Sequence, residues 1–457
     1  MRNDGTKREQ GACFSEQKHA TKQRIRSLNI HYVFTLTALC CLAPSLRADD
    51  WPQFRGPGGL AVAPESAKVP TTWTSTKNIA WKTPLPGHGS SSPITFGKNV
   101  YVTCYSGYGL SKEDPGEIGN LKRHLLCINL DDGKIKWTAT IPLPSKDHPE
   151  HPYTSYLTTH GYASSTPVAD DTGVYAYFGT MGLVAFDHDG NERWRVSCGV
   201  GRMNFGSAAS PILYKDYVII NADVEDGALR AFAKRDGKPA WRYAPDHEPS
   251  AWCTPLLVAA NGRDELVCFG KRNEILAVDP GNGKLLWNAT IEMKNYQCPS
   301  FTAHEGVVYA IGNHPGNAVA IRLGGNGDVT RSHKLWEINK GSVVSSPVHH
   351  NGHLYWSREE GGILLCVDAA SGDVKYQHRL EGVRRTYASP VLAGGNLFYV
   401  TQTEGTYIVE AKPEFKLVAH NRIDGDDSIF SGTPAVAGDC LFLRSYKFLY
   451  CIKAGGR

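Results

Sequence analysis

The stretch "LVAFDHDGNERW" (183–194) keeps returning along this chain. It reappears as "LLCINLDDGKIKW" (125–137), "LRAFAKRDGKPAW" (229–241), "ILAVDPGNGKLLW" (275–287) and "LLCVDAASGDVKY" (364–376). Each copy is an alternating apolar run, a cluster of Asp, Asn and Gly, and a short run ending in an aromatic residue. That pattern reads as strand, tight turn, strand. A second marker, small residues followed by proline, recurs at Pro93, Pro167, Pro211, Pro255, Pro299, Pro347, Pro390 and Pro434, with separations of 74, 44, 44, 44, 48, 43 and 44 residues.

Eight units of about 44 residues match the size of a four-stranded propeller blade. After each proline comes a β-branched or aromatic run such as "VYVT", "YVII" or "LFYV", which supplies the second strand. The eighth unit ends at "FLYCIKAGGR" without a fourth strand. The missing piece stands at the other end, where "NIAWKTPL" (78–85) carries Trp81 in the aromatic slot. The expected fold is therefore all-β, an eight-bladed β-propeller of four-stranded antiparallel blades, its ring closed by an N-terminal strand that completes the last blade. Closure removes the unpaired sheet edges of an open ring. The expected boundaries are a signal peptide at 1–48, an N-terminal extension at 49–77 and the propeller at 78–457.

The first segment places Lys18, Lys22, Arg24 and Arg26 before the apolar run "LNIHYVFTLTALCCLAPSL" and then "RADD". This is a secretory signal pattern with cleavage expected near Ala48. A membrane anchor is the rival reading, but the run is short for a spanning helix, so an exported protein, periplasmic or secreted and not membrane-spanning, is expected. The first 48 residues hold 8 basic and 3 acidic side chains, so without them the net charge falls from +4 to −1. That balance argues against a nucleic-acid partner. Of 12 cysteines, 9 lie beyond residue 48. The odd number argues against a disulfide framework. Cys127, Cys366 and Cys451 fill a repeat position that is Ala185, Ala231, Ala277 or Ala320 elsewhere, which marks a small packed site. Cys253 with Cys268, and Cys440 with Cys451, are pairs that hairpins could bring face to face.

The first unit carries about 30 extra residues, at 105–122 and 141–162. With strands lettered A to D from the channel outwards, these are B–C and D–A connections, which share one face. The extra residues of the fifth unit, "LGGNGDVTRSHK", lie in a C–D turn on the opposite face. Long loops on one face mark the working face. The residues expected around its channel mouth are His88, His160, Tyr162, Arg202, Asn204, Trp252, Tyr296, Gln297, Lys340, Arg384, Arg385, Tyr387, Asp426 and Asp427. Lys271, Arg272, Asn313, His314, Arg358 and Glu359 join them from the B–C turns. Convergent charged and aromatic side chains suit ligand or partner recognition. Catalytic signals are weak. "DHPEH" (147–151) offers His148 and His151, with His160 further on, which invites a metal reading, but loop histidines are more common than ligands. "DHDG" (187–190) is the repeat's own turn, and no catalytic triad is nameable.

The motif "SSP…VYV…LxAxD…G…LW" resembles the pyrrolo-quinoline quinone (PQQ) repeat shared by quinoprotein alcohol dehydrogenases and BamB-type outer-membrane assembly propellers. The resemblance covers nearly all of 78–457. The opening "DDWPQFRGPGG" (49–59) looks like the start of quinoprotein dehydrogenases, and is similar to the "WPQFRGP" openings of exported bacterial propellers typical of planctomycetes. The family implies an eight-bladed propeller and an exported location. Its dehydrogenases hold the quinone under two adjacent cysteines, with calcium bound by Glu, Asn and Asp and a further catalytic Asp. This chain has no Cys-Cys pair beyond residue 48. "GNHPGN" (312–317) resembles the calcium-binding stretch and makes Asn313 its candidate, with Asp426 or Asp427 as the base. The reading that follows is a non-catalytic propeller binding a protein, peptide or glycan partner, monomeric, with no cofactor and no metal. The alternative is a PQQ- and calcium-dependent oxidoreductase with an altered site, and a polysaccharide lyase or hydrolase stands behind it.

Overall fold

The computed structural model describes residues 50–144, 148, 150–152, 157–201, 203–245, 248, 250–293, 296–312 and 316–456. The expected signal peptide lies outside them. No helix among the described residues is long and apolar enough to cross a membrane.

Among the described residues the chain forms eight sheets, each built on four antiparallel strands that are neighbours in order, and one of them gains a fifth strand. The first blade runs Ile94–Phe96, Asn99–Ser106, Lys122–Asn129 and Ile135–Pro142. Its second and third strands are buried almost throughout, whereas its fourth alternates between exposed and half-buried positions. That contrast follows from period-2 strands packed on both faces inside the ring and on one at the rim. The last blade joins Ala435–Ala437, Cys440–Arg444 and Phe448–Ile452 to the early strand Ile79–Pro84, which pairs antiparallel with Phe448–Ile452.

The repeating aromatic explains the repeating small residue. Cys127 stands directly across from Trp137, Ala185 from Trp194, Ala231 from Trp241, Ala277 from Trp287, Ala320 from Trp336, Cys366 from Tyr376 and Cys451 from Trp81. A register shift follows at the next residue in six of these pairs and adjoins Trp81 in the last, a β-bulge that twists the outer strand. The seventh blade reverses the sizes, with Ile408 across from Ala419. Most indoles then reach the next blade. Trp81 donates Nε1–H to the Leu130 carbonyl, Trp137 to His188, Trp194 to Lys234, Trp241 to Pro280 and Trp336 to Ala369, all at 2.8–3.0 Å. Beneath the rings lie the turn glycines: a Cβ on Gly133 or Gly190 would stand 2.6 Å from Trp81 or Trp137, and both have positive φ. The "DG" of the repeat thus serves the turn and the neighbouring blade together.

Trp287 departs from this pattern. The fifth unit's insert places Gly327–Asp328 as a fifth, parallel strand against Leu285–Thr290. Trp287 is fully buried and donates instead to Glu265 Oε2 at 2.8 Å.

Candidate functional site

Around the channel the backbone and side chains of the inner strands close a ring. The amide of Ser92 donates to Thr166 Oγ1, Thr166 to Ser210, Ser210 to Thr254, Thr254 to Ser300, Ser300 to Ser346, Ser346 to Ser389, Ser389 to Thr433, and Thr433 back to Ser92. All eight bonds measure 2.9–3.0 Å. In seven blades the hydroxyl residue comes just before the marker proline. The fifth differs: Pro299 precedes its ring residue, Ser300, and Phe301 takes the place of the proline. The ring requires a hydroxyl and an amide at one position. The proline only stiffens its neighbourhood, so it can shift by one residue.

The opening segment closes one end of the channel. Trp51 and Thr95 exchange backbone and hydroxyl bonds, the Ala169 amide donates to the Pro52 carbonyl, and Ala63 and Ala61 bond with Leu392. Arg55, fully buried, donates to the Phe301 carbonyl at 2.6 Å and to the Pro347 carbonyl. These contacts fall one to three residues after the ring hydroxyls, on the far side from the D–A connections. Phe54 projects into the channel as its floor. The result is a blind cavity of about 370 Å³. Its lower wall is the hydroxyl ring, and its upper wall is built by the D–A connections.

Four of the expected residues meet there: His160, Trp252, Tyr296 and Tyr387. Trp252 and Tyr296 pack edge to face at 5.3 Å, and Phe205 lies 5.1 Å from Tyr296 and 5.6 Å from Trp252. His160 Nε2–H donates to the Phe205 carbonyl at 2.6 Å, and Nδ1 lies 2.6 Å from Ser164 Oγ. Burial pushes this imidazole below its usual range, so it stands neutral as a wall group.

The other expected residues sit elsewhere. His88 packs between Tyr105 and Tyr446, lowered first by burial and then by Arg444 and Lys447. Tyr162 is buried beneath the first blade's insertions, edge-on to Tyr105, and donates to the His151 carbonyl at 2.8 Å. That region is pinned by a buried pair, Arg123 Nη2 to Glu150 Oε2 at 2.5 Å. Gln297 is buried and exchanges backbone bonds with Ser250 and Trp252. Asn204, Lys271, Arg272, Arg384 and Arg385 are exposed, while Lys340 reaches Gln377. Arg358 is half-buried, and Glu359 accepts the Val343 amide at 2.9 Å. Asp426 accepts from Ser428 and from the Tyr450 hydroxyl, and Asp427 pairs with Lys447. Arg202, Asn313 and His314 lie outside the described residues. The hydroxyl ring and the Phe54 floor were missed in the sequence reading, although Ser or Thr before proline in seven units was the signal of the ring.

The cavity's chemistry bears on the quinone alternative. Its described lining contains no Asp, Glu, Lys or Arg, so nothing there faces the carboxylates of pyrrolo-quinoline quinone or supplies anionic ligands to calcium. Among the described residues no three His, Cys, Asp or Glu gather where they could hold a metal ion. The nine cysteines beyond residue 48 are all free thiols, none adjacent in sequence to another. Cys253 and Cys268 come within 3.8 Å, sulfur to sulfur. The described residues do not fit the quinone.

Comparison with known proteins places the fold. No curated protein matches the sequence. BamB from Moraxella catarrhalis superposes with a TM-score of 0.57 at 13% identity, covering 83% of this chain and 98% of its own. The quinohemoprotein alcohol dehydrogenase ADHIIG from Pseudomonas putida HK5 gives 0.59 at 12%, covering 90% and 81%. The quinohemoprotein alcohol dehydrogenase from Comamonas testosteroni gives 0.54 at 12%, covering 91% and 82%. At such identities these structures share the fold alone. The family model described as outer membrane protein assembly factor BamB matches residues 121–378, more than half of the sequence, and the chain belongs to that PQQ-repeat propeller family.

Proposed function

We propose that this chain is an exported, non-catalytic propeller that recognises a protein, peptide or glycan partner at the channel mouth of its loop-rich face. The observation that carries this reading is the blind channel, whose described lining is mostly hydroxyls and aromatics, with Ala208, Cys298, Val343 and Val344, and holds no Asp, Glu, Lys or Arg. General acid–base or nucleophilic chemistry needs a titratable side chain that can come within hydrogen-bond reach of the reacting atoms. The titratable wall groups here are His160, tied to Phe205 and Ser164, the phenols Tyr296 and Tyr387, and the Cys298 thiol, which burial pushes up to about 12. The membership in a family described as an assembly factor supports a binding role, and the leader pattern of residues 1–48 supports export.

The test has two arms. Titration of the purified protein with pyrrolo-quinoline quinone and calcium, followed by absorbance and calorimetry, is expected to give no saturable binding. One-to-one binding with turnover of an alcohol would replace this reading with the oxidoreductase. In the second arm the protein is cross-linked in native envelope extract. A partner captured by the natural chain and lost in Ala208→Trp, which fills the channel, supports the reading. Capture that ignores this substitution removes the channel mouth as the site.

A further inference from the structure

The ring hydroxyls have a second half to their hydrogen bonding. Each oxygen accepts one amide and still carries its own proton. Among the described residues none of the eight protons meets an acceptor, although Ser92, Thr166, Ser210, Ser346, Ser389 and Thr433 are each no more than 4% exposed. Buried donors are normally satisfied. Here they encircle the base of a cavity of about 370 Å³, within the size range of small-molecule sites. Whatever fills that base must offer acceptor oxygens.

The upper wall asks for something different. Phe205, Trp252 and Tyr296 form a preassembled aromatic group, with the Trp252 indole N–H held by the Gly206 carbonyl at 2.8 Å. Such faces favour flat apolar C–H surfaces. A carboxylate could satisfy the donors but would bring charge into a described lining without a cation, at a desolvation cost. A purely apolar ligand would leave the hydroxyls unsatisfied. A neutral sugar ring has both properties, since its C–H face stacks on aromatics and its oxygens both accept and donate.

From this geometry, and resting on the partner-binding reading above, we infer that the blind channel binds the uncharged end of a glycan, its C–H face against the Trp252 and Tyr296 rings and its oxygens toward the hydroxyl ring.

The experiment is saturation-transfer NMR with calorimetry on the full protein, using cellobiose, maltose and N,N′-diacetylchitobiose as neutral probes. Glucuronate and the peptide Gly-Ser-Gly-Ser serve as contrasts. At least one neutral disaccharide is expected to bind with Kd below about 1 mM, with transfer strongest at pyranose C–H protons. Tyr296→Ala, at a half-exposed site, and Ala208→Trp should each weaken it by at least about tenfold. No neutral sugar binding, sugar binding indifferent to both substitutions, or tighter binding of glucuronate or the peptide would overturn the inference. If no sugar binds while Ala208→Trp still abolishes capture of an envelope partner, this inference fails and the partner-binding reading stands. If a disaccharide binds and is cleaved, the glycan site stands and the non-catalytic reading falls.

Discussion

The Arg55 guanidinium donates to the carbonyl of Phe301 at 2.6 Å, a bond between residues 246 positions apart. It fastens the opening segment beneath the fifth and sixth blades, while Trp51 and Pro52 fasten it beneath the first two.

Removing that anchor exposes how much the floor contributes. Arg55→Ala leaves buried carbonyls without their donor, and an unfolding free energy lower by about 2–4 kcal/mol is expected. Denaturant midpoints at constant m-value would measure it. A midpoint within error of the natural chain would show that the segment is held elsewhere.

The hydroxyl ring offers a sharper comparison. Thr254→Val keeps the shape but removes the acceptor of the Ser210 amide at 3.0 Å. A loss of about 1–3 kcal/mol is expected. Thr254→Ser, which restores the oxygen, should recover most of it. Thermal unfolding of the two variants side by side decides the point.

Size matching across the outer strands is testable at Cys127, which faces Trp137. Cys127→Ala should cost little, since the other blades place alanine there. Cys127→Leu should cost about 1–3 kcal/mol through overpacking. In the seventh blade, where Ile408 faces Ala419, Ile408→Ala should cost about 2–4 kcal/mol. Adding Ala419→Trp should return part of that loss.

A pH dependence is built into the third blade. Glu225 is fully buried and accepts from Ser207, and burial pushes its carboxyl up to about 7 from an ordinary 4.5. A raised carboxyl means the folded chain binds a proton that the unfolded chain releases. Its contribution to stability therefore grows as pH falls from 8 through 7 and levels off below about 4.5. The span is on the order of 3 kcal/mol. Glu225→Gln should flatten the change in melting temperature between pH 5 and pH 8. A profile unchanged by this substitution would assign the dependence to another group.

Much of the architecture was legible because a propeller repeats its local grammar. Strand, turn glycine and aromatic sit at fixed offsets, so "LVAFDHDGNERW" announces its blade alone. The mouth was less legible. His160, Trp252, Tyr296 and Tyr387 converge on the cavity, but Arg384 and Arg385, two and three residues before Tyr387 on the same connection, are exposed to solvent. Residue type and offset place a side chain on a loop, and neighbouring blades then determine where it turns. Tyr162 shows the same effect, drawn under insertions that only the first blade has.

The sequence by itself determined the number of blades, their strand order and the alternation of small and aromatic residues, because these depend on neighbours within one repeat. Only the tertiary structure decided that Ser300 and not Cys298 joins the hydroxyl ring, that "WPQFRGP" is a floor, and that the channel wall is uncharged in its described part. Each depends on residues far apart in the chain meeting at the axis, where closure of the whole ring sets the distances.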